Sequence, residues 1–174
     1  ELGLRIVQLT YNTQNWVGSG CYESRDSGLS DFGRDVLAEM NRLGMMVDLS
    51  HVSPAVMSNV LDIAESPVIF SHSSARAITD HRRNVPDSIL KRLPKNGGVV
   101  MVTFVPGFVS TRFGAWEAAR DSVVTTLLAS GADSAAVRTQ VRAWVAAHPR
   151  PATPMRDVAD HIEHIRKVAG ADHI

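Results

Sequence analysis

The sequence predicts an α/β fold built on a parallel sheet, and two observations support this fold class. Four short aliphatic runs, at residues 4–9, 45–49, 68–70 and 99–105, show little polar alternation, which is typical of parallel strands covered on both faces. Helical stretches separate these runs, so strands and helices alternate along the chain. Such alternation indicates βα units whose successive strands lie parallel in one sheet.

Cap signals place the helices between the strands. Ser30 is a good N-cap for a helix over residues 31–43, and Gly44 supplies its stop. Ser53, which a proline follows, begins a second helix. A third, short helix is predicted over residues 87–96, before a pair of glycines.

Residues 114–149 differ from the rest of the chain because they are rich in Ala, Arg and Val. We predict two helices here, over residues 115–129 and 134–147, that form a helical insertion after the fourth strand. A last helix begins after residues 153–154 and runs to residue 168.

The composition of the 174 residues is that of one globular domain. Eighteen basic residues balance eighteen acidic ones, so charge gives no case for a nucleic acid or an anionic membrane as partner. A single cysteine, Cys21, excludes an internal disulfide, and no apolar run approaches the ~18 residues of a membrane-spanning helix. Because the chain begins in a strand-like run and stops just after the helix-ending Gly170, where a next strand would begin, we expect it to be a fragment of a longer protein.

Two histidines stand at equivalent places in consecutive βα units. His51 follows the second predicted strand within the phrase LSHVS, and His72 follows the third within FSHSS, 21 residues later. The carboxyl ends of neighbouring parallel strands lie side by side, so both imidazoles can bind one zinc or similar ion. For either histidine alone, a hydrogen bond to the backbone explains the position equally well, but the matched pair favours the metal.

Two further side chains are candidates for substrate binding. Arg83 presents a planar fork that fits a peptide carboxylate, although its spacing alone favours a solvated basic loop. Tyr11, at the end of the first strand, either donates its hydroxyl to a substrate carbonyl or is an ordinary packed aromatic residue. His161 and His164, three residues apart, are interpreted as a solvated helix face, with a helix-borne metal site as the alternative.

Several phrases together resemble the renal (membrane) dipeptidase family, peptidase family M19 of the amidohydrolase superfamily. The similarity runs from about residue 2 to residue 170, and the phrases occur in the family's order. They are residues 31–34 (DFGR), 40–45 (MNRLGM), 47–53 (VDLSHVS), 70–75 (FSHSSA), 82–87 (RRNVPD), 97–102 (GGVVMV), 158–162 (VADHI) and 167–170 (KVAG).

The resemblance implies part of a (β/α)8 TIM-type barrel, of which residues 1–174 form the central portion with about four to five βα units. It implies a binuclear zinc site, with His51 and His72 at the positions of the two histidines that bind the second zinc ion. Arg83 then occupies the position of the arginine that binds the substrate's terminal carboxylate. The implied activity is hydrolysis of dipeptides, including those with a C-terminal D-residue, by a metal-bridging hydroxide. For the complete protein we expect a homodimer.

Two departures from the family pattern limit what this chain can do alone. The expected catalytic aspartate lies beyond Ile174, so we expect the fragment by itself to be inactive. Tyr11 stands where the typical member has a histidine that contacts the substrate. Two alternatives therefore remain open: another amidohydrolase-type metal hydrolase, and a metal-free relative kept as a binding domain.

Overall fold

The computed structural model describes residues 3–174, and at its centre is a four-stranded sheet in the order β1-β2-β3-β4. Residues 1 and 2, which the predicted domain includes, lie outside the described residues. Every neighbouring pair of strands is parallel, which confirms the predicted fold class. Three strands are shorter than the aliphatic runs that predict them: β1 (Ile6–Gln8), β2 (Met46–Asp48) and β4 (Val99–Val102). The third strand, β3 (Ile69–Ser73), instead extends three residues beyond its predicted run.

The first two helices begin and end where the cap signals place them. Helix α1 (Asp31–Leu43) begins after Ser30, whose hydroxyl accepts the amide of Gly33 at 2.9 Å. Gly44 ends α1 in the left-handed conformation, at φ 64°, which a residue without a Cβ adopts at low cost. Helix α2 (Pro54–Ile63) begins after Ser53, whose side chain accepts a backbone amide.

The single helix predicted over residues 87–96 is wrong, because two short helices lie there. These are α3 (Asp87–Leu90) and α4 (Leu93–Asn96). Pro94 explains the break, since a proline has no amide hydrogen to donate and its ring clashes with the carbonyl four residues earlier, that of Leu90. Gly97 ends α4 at φ 83°.

The predicted insertion contains two long helices that pack on each other. A short helix α5 (Pro106–Val109) precedes α6 (Thr111–Ala129), which begins four residues before the predicted start. Helix α7 (Ser134–Ala147) has the predicted bounds and no buried residue. Helix α8 (Met155–Ala169) and a 3-10 turn (Ala171–His173) complete the described chain.

The core lies between one face of the sheet and the helices α1, α2 and α8. On the opposite face, apolar side chains are open: Ile6 is 49% exposed and Met101 is 53% exposed. The expectation that the strands are covered on both faces is therefore wrong within residues 3–174, because the helices lie against one face. The core residues include Leu37, Met40, Val47, Val56, Val60, Phe70, Val100 and Ile165.

No helix between residues 3 and 174 is long and apolar enough to cross a bilayer.

Candidate metal and substrate site

The structure brings His51 and His72 together at the carboxyl ends of adjacent strands. His51 lies three residues beyond the end of β2, at φ 68°, and His72 lies near the end of β3. Their Nε2 atoms are 2.9 Å apart. The sequence prediction that the two imidazoles converge agrees with this geometry, and their role as metal ligands stays a prediction.

The second nitrogen of each ring is held by a neighbouring oxygen. The Nδ1 of His51 lies 2.6 Å from the side-chain oxygen of Asn12, and the Nδ1 of His72 lies 2.7 Å from the hydroxyl oxygen of Ser71. Ser71 donates its own hydroxyl proton to the buried carboxylate of Asp48. Because both oxygens are then acceptors, each imidazole donates from Nδ1, and each Nε2 carries a bare lone pair.

Two lone pairs that face each other at 2.9 Å repel unless a cation lies beside both of them. Two nitrogen ligands bonded to one tetrahedral zinc ion at about 2.0–2.1 Å lie about 3.4 Å apart, so the rings need to separate by only about 0.5 Å to share an ion. Burial, together with the nearby Arg83 cation, lowers the pKa of His51 to about 4 and also lowers the pKa of His72. Both rings are therefore held in the neutral form that binds metals. Within residues 3–174 no group of three or more potential ligands forms a closed metal cluster.

Arg83 is buried beside the histidine pair, so the interpretation of its segment as a solvated loop is wrong for this side chain. Only 2% of Arg83 is exposed. One guanidinium nitrogen, Nη2, donates to the backbone oxygen of His72 at 3.4 Å, while Nε and Nη1 are buried without a partner. The Cζ atom lies 5.2 Å from the centre of the Phe108 ring. These two nitrogens lie on different edges of the planar guanidinium, and each leaves a charged N–H donor free for a carboxylate oxygen.

Tyr11 lies at the open side of the pair. It is 67% exposed, and its ring stacks on that of His51 with the centroids 4.2 Å apart and an interplanar angle of 23°. The ring therefore packs against a predicted metal ligand while most of it stays open to solvent. Donation of its hydroxyl to a substrate stays a prediction.

Comparison with protein-family models identifies the family of this chain. The family model described as membrane dipeptidase (peptidase family M19) matches residues 1–174. The chain belongs to this dipeptidase family. Its members have a TIM-barrel fold, and the four parallel βα units described above form part of such a barrel.

Three similar proteins illustrate the relation. An uncharacterized dipeptidase of Schizosaccharomyces pombe is 40% identical over 178 residues, which cover 100% of this chain and 34% of that protein. The structure of an amidohydrolase from Pseudomonas aeruginosa is 34% identical, with a TM-score of 0.69, over 97% of this chain and 40% of that one. A metallopeptidase from Rhodobacter sphaeroides, solved with a phosphinate mimic of L-Ala-D-Ala, shares the fold at 24% identity and a TM-score of 0.71, over 99% of this chain and 41% of that one. The chain thus spans about a third of the curated relative's length.

Two side chains whose role the sequence reasoning missed support the histidine rings. Asn12, at φ 63°, points its amide oxygen to His51, and Asp48 accepts the backbone amides of Ser50 and Ser71 at 2.9 and 3.1 Å. A serine precedes each histidine in the repeated phrases, and this was the available signal for the oxygen beside His72. The signal for the left-handed turn at Asn12 was the residue type, because asparagine adopts this backbone region more readily than most non-glycine residues.

The interpretation of residues 161–164 as a solvated helix face is wrong for His161. This side chain of α8 is fully buried, and its Nδ1 accepts the backbone amide of Ala75 at 2.9 Å. His164 lies 2.8 Å from a carboxylate oxygen of Asp87. A turn of α8 therefore packs against the loop that follows β3, and the His161 side chain accepts a backbone amide of that loop.

Proposed function

We propose that the complete protein is a zinc-dependent dipeptidase, and that this chain supplies one half of its metal site and its carboxylate-binding arginine. The observation that supports the proposal is the arrangement of two bare imidazole nitrogens, 2.9 Å apart, beside a buried guanidinium with two unpaired donors. A small substrate that carries a carboxylate near a hydrolysable bond satisfies both groups at once. A dipeptide is such a substrate.

The residues of this chain would have distinct roles. His51 and His72 hold the metal, and Asn12 and Ser71 keep the proton of each ring on Nδ1 so that Nε2 stays free for it. Arg83 pairs with the terminal carboxylate of the substrate and thereby fixes the position of the peptide bond. Zinc, when bound, supplies a hydroxide at neutral pH by lowering the pKa of a bound water.

Substrate stereochemistry is the finer part of the proposal. The metallopeptidase of Rhodobacter sphaeroides that shares this fold was solved with a mimic of L-Ala-D-Ala. That ligand motivates L-D dipeptides as test substrates beside L-L dipeptides. We propose that the complete protein accepts a D-residue at the carboxylate-bearing position.

The direct test uses the complete protein loaded with zinc and a panel of L-L and L-D dipeptides. We expect turnover of dipeptides, loss of turnover after chelation, and recovery when zinc is returned. The matched control is the same dipeptide as its C-terminal amide, which lacks the carboxylate; we expect its kcat/KM to be at least about 100-fold lower because the buried donors of Arg83 stay unpaired. Equal turnover of both would indicate a different amidohydrolase substrate, and a zinc-free protein with no turnover would indicate a binding domain.

Replacing Asn12 with glycine tests the support of His51 separately. Glycine tolerates the left-handed backbone at this position, so the substitution removes the amide oxygen without adding backbone strain. We expect metal affinity to fall about 10- to 100-fold, as is usual when the hydrogen-bond partner of a metal-binding histidine is lost. Competition with a zinc chelator measures the affinity. Asn12→Asp, which keeps an acceptor, is the control and should retain the affinity of the native protein.

We also propose that residues 114–149 are an insertion in the barrel. Helices α6 and α7 pack on each other, joined by a hydrogen bond from the Trp116 indole to the backbone oxygen of His148 at 2.7 Å, and α7 buries no residue. A helical hairpin of this kind can be added after a strand without altering the sheet. The homodimer expected for the complete protein stays a prediction.

A further inference from the structure

We infer that His161 is a positioning residue that holds Arg83 in place for the substrate carboxylate, an inference that rests on the proposed function. Arg83 lies in a segment without helix or strand, residues 74–85, which we call the arginine loop. Its two ends are joined, since the Val85 amide donates to Ser74 at 2.7 Å and the Arg76 amide donates to Val85 at 2.9 Å. Side-chain hydrogen bonds fix the position of this closed loop relative to the rest of the site.

The first of these side chains is His161. Its Nδ1 accepts the amide of Ala75 at 2.9 Å, so this nitrogen carries no proton. The ring is fully buried, and burial lowers its pKa, so it is neutral and carries its proton on Nε2. That Nε2 faces the backbone oxygen of Val109 at 3.3 Å and the hydroxyl of Thr79 at 3.4 Å. One ring therefore joins two points of the arginine loop to helix α5.

The second side chain is Asn84, the neighbour of Arg83, which is also fully buried. Its amide nitrogen donates to the backbone oxygen of Phe108 at 2.7 Å and to that of Thr79 at 2.9 Å. Its amide oxygen accepts the backbone amide of Ser74 at 3.2 Å. The consecutive carbonyls of Phe108 and Val109 are thus bound by Asn84 and His161.

These contacts reach Arg83 because Phe108 lies against it. The Cζ atom of Arg83 is 5.2 Å from the Phe108 ring, and its backbone amide donates to His81 in the same loop at 3.2 Å. The direction of the two unpaired donors therefore depends on where helix α5 and the arginine loop sit relative to each other. His161 fixes that relation from α8, because it contacts Ala75 and Thr79 of the loop and Val109 of α5.

Kinetics of the zinc-loaded complete protein on a dipeptide test the inference. His161→Phe keeps an aromatic ring and removes the hydrogen bonds of Nδ1 with Ala75 and of Nε2 with Val109 and Thr79. We expect KM to rise about tenfold while kcat stays within about threefold, because an interaction present in both the bound and the transition state changes KM alone. His164→Phe, on the same helix but bonded to Asp87 outside the arginine loop, is the matched control and should leave KM unchanged.

A second variant guards against loss of folding. His161→Asn keeps an acceptor near the position of Nδ1 and loses the Nε2 contacts with Val109 and Thr79, so we expect KM to rise about threefold. If His161→Phe does not fold, the asparagine variant decides alone. A KM equal to that of the native protein in either variant would overturn the inference.

A double-substitution cycle separates positioning from general loosening. In the Arg83→Ala background, His161→Phe should have no further effect on kcat/KM, because the group that it positions is absent. Additive losses would overturn the inference and leave the proposed function standing. Absence of dipeptide turnover in the native protein would instead refute the proposed function itself.

Discussion

Replacing His51 with alanine is expected to remove zinc from the site formed by His51 and His72 and to lower kcat on a dipeptide by at least about 10³-fold, equivalent to ~4 kcal/mol of activation free energy. The reason lies in the two Nε2 atoms at 2.9 Å, which share one ion in the proposed site. A single imidazole holds that ion far more weakly, and the hydroxide that it supplies at neutral pH is lost. Zinc content per chain and kcat, measured on the same sample, check the prediction.

His72→Ala should have the same effect, and the double substitution should be no worse than either alone, because residues that act through one ion are not additive. His148→Ala is the control, since His148 is exposed on the distal hairpin and bonded to Trp144 of its own helix. Full zinc content together with native activity in His51→Ala would contradict the assignment of this histidine as a ligand.

The convergence of the two histidines was predictable because it follows from topology. Each histidine ends a strand-like phrase, and consecutive βα units bring neighbouring strand ends together in any parallel sheet. The break in the helix at residues 91–92 was missed, although Pro94 stood in the sequence as the signal for it. Local rules of this kind need no knowledge of distant residues.

The burial of Arg83 and His161 was not predictable in this way. Arg83 is buried against Phe108 of helix α5, which lies in another segment of the chain. His161 is buried by contacts with Ala75 and Thr79, more than 80 residues away in the sequence. Sequence periodicity reports which face of one element is apolar, whereas it carries no information about which polar side chain completes the hydrogen bonds of a remote loop. Here the imidazole of His161 on α8 binds the backbone amide of Ala75 and the hydroxyl of Thr79 in the loop.

Arg83→Met is expected to abolish efficient dipeptide hydrolysis while leaving the complete protein at least as stable as before. Methionine fills a similar volume without charge. Substrate binding loses a charge-assisted carboxylate pair, which costs about 2–5 kcal/mol, or roughly 30- to 4000-fold in kcat/KM. Arg83→Lys should recover only part of that loss, because an ammonium group keeps the charge and lacks the planar fork.

The stability half of this prediction follows from the same contacts. A guanidinium that is 2% exposed, with Nε and Nη1 unpaired, loses hydration that its single bond to His72 and its contact with Phe108 do not replace. Replacing a buried charge with an apolar side chain of similar volume is often neutral or stabilises by about 1–4 kcal/mol. We therefore expect an unchanged or higher Tm for Arg83→Met in calorimetry. Arg82→Met, at the exposed neighbour that donates to Tyr22, should change neither kcat/KM nor Tm appreciably. A Tm several degrees lower in Arg83→Met, with the Arg82 variant unaffected, would contradict the prediction and show that Arg83 stabilises the loop. An unchanged or higher Tm would mean that the protein keeps a buried cation without a benefit to its stability, as a carboxylate-binding site requires.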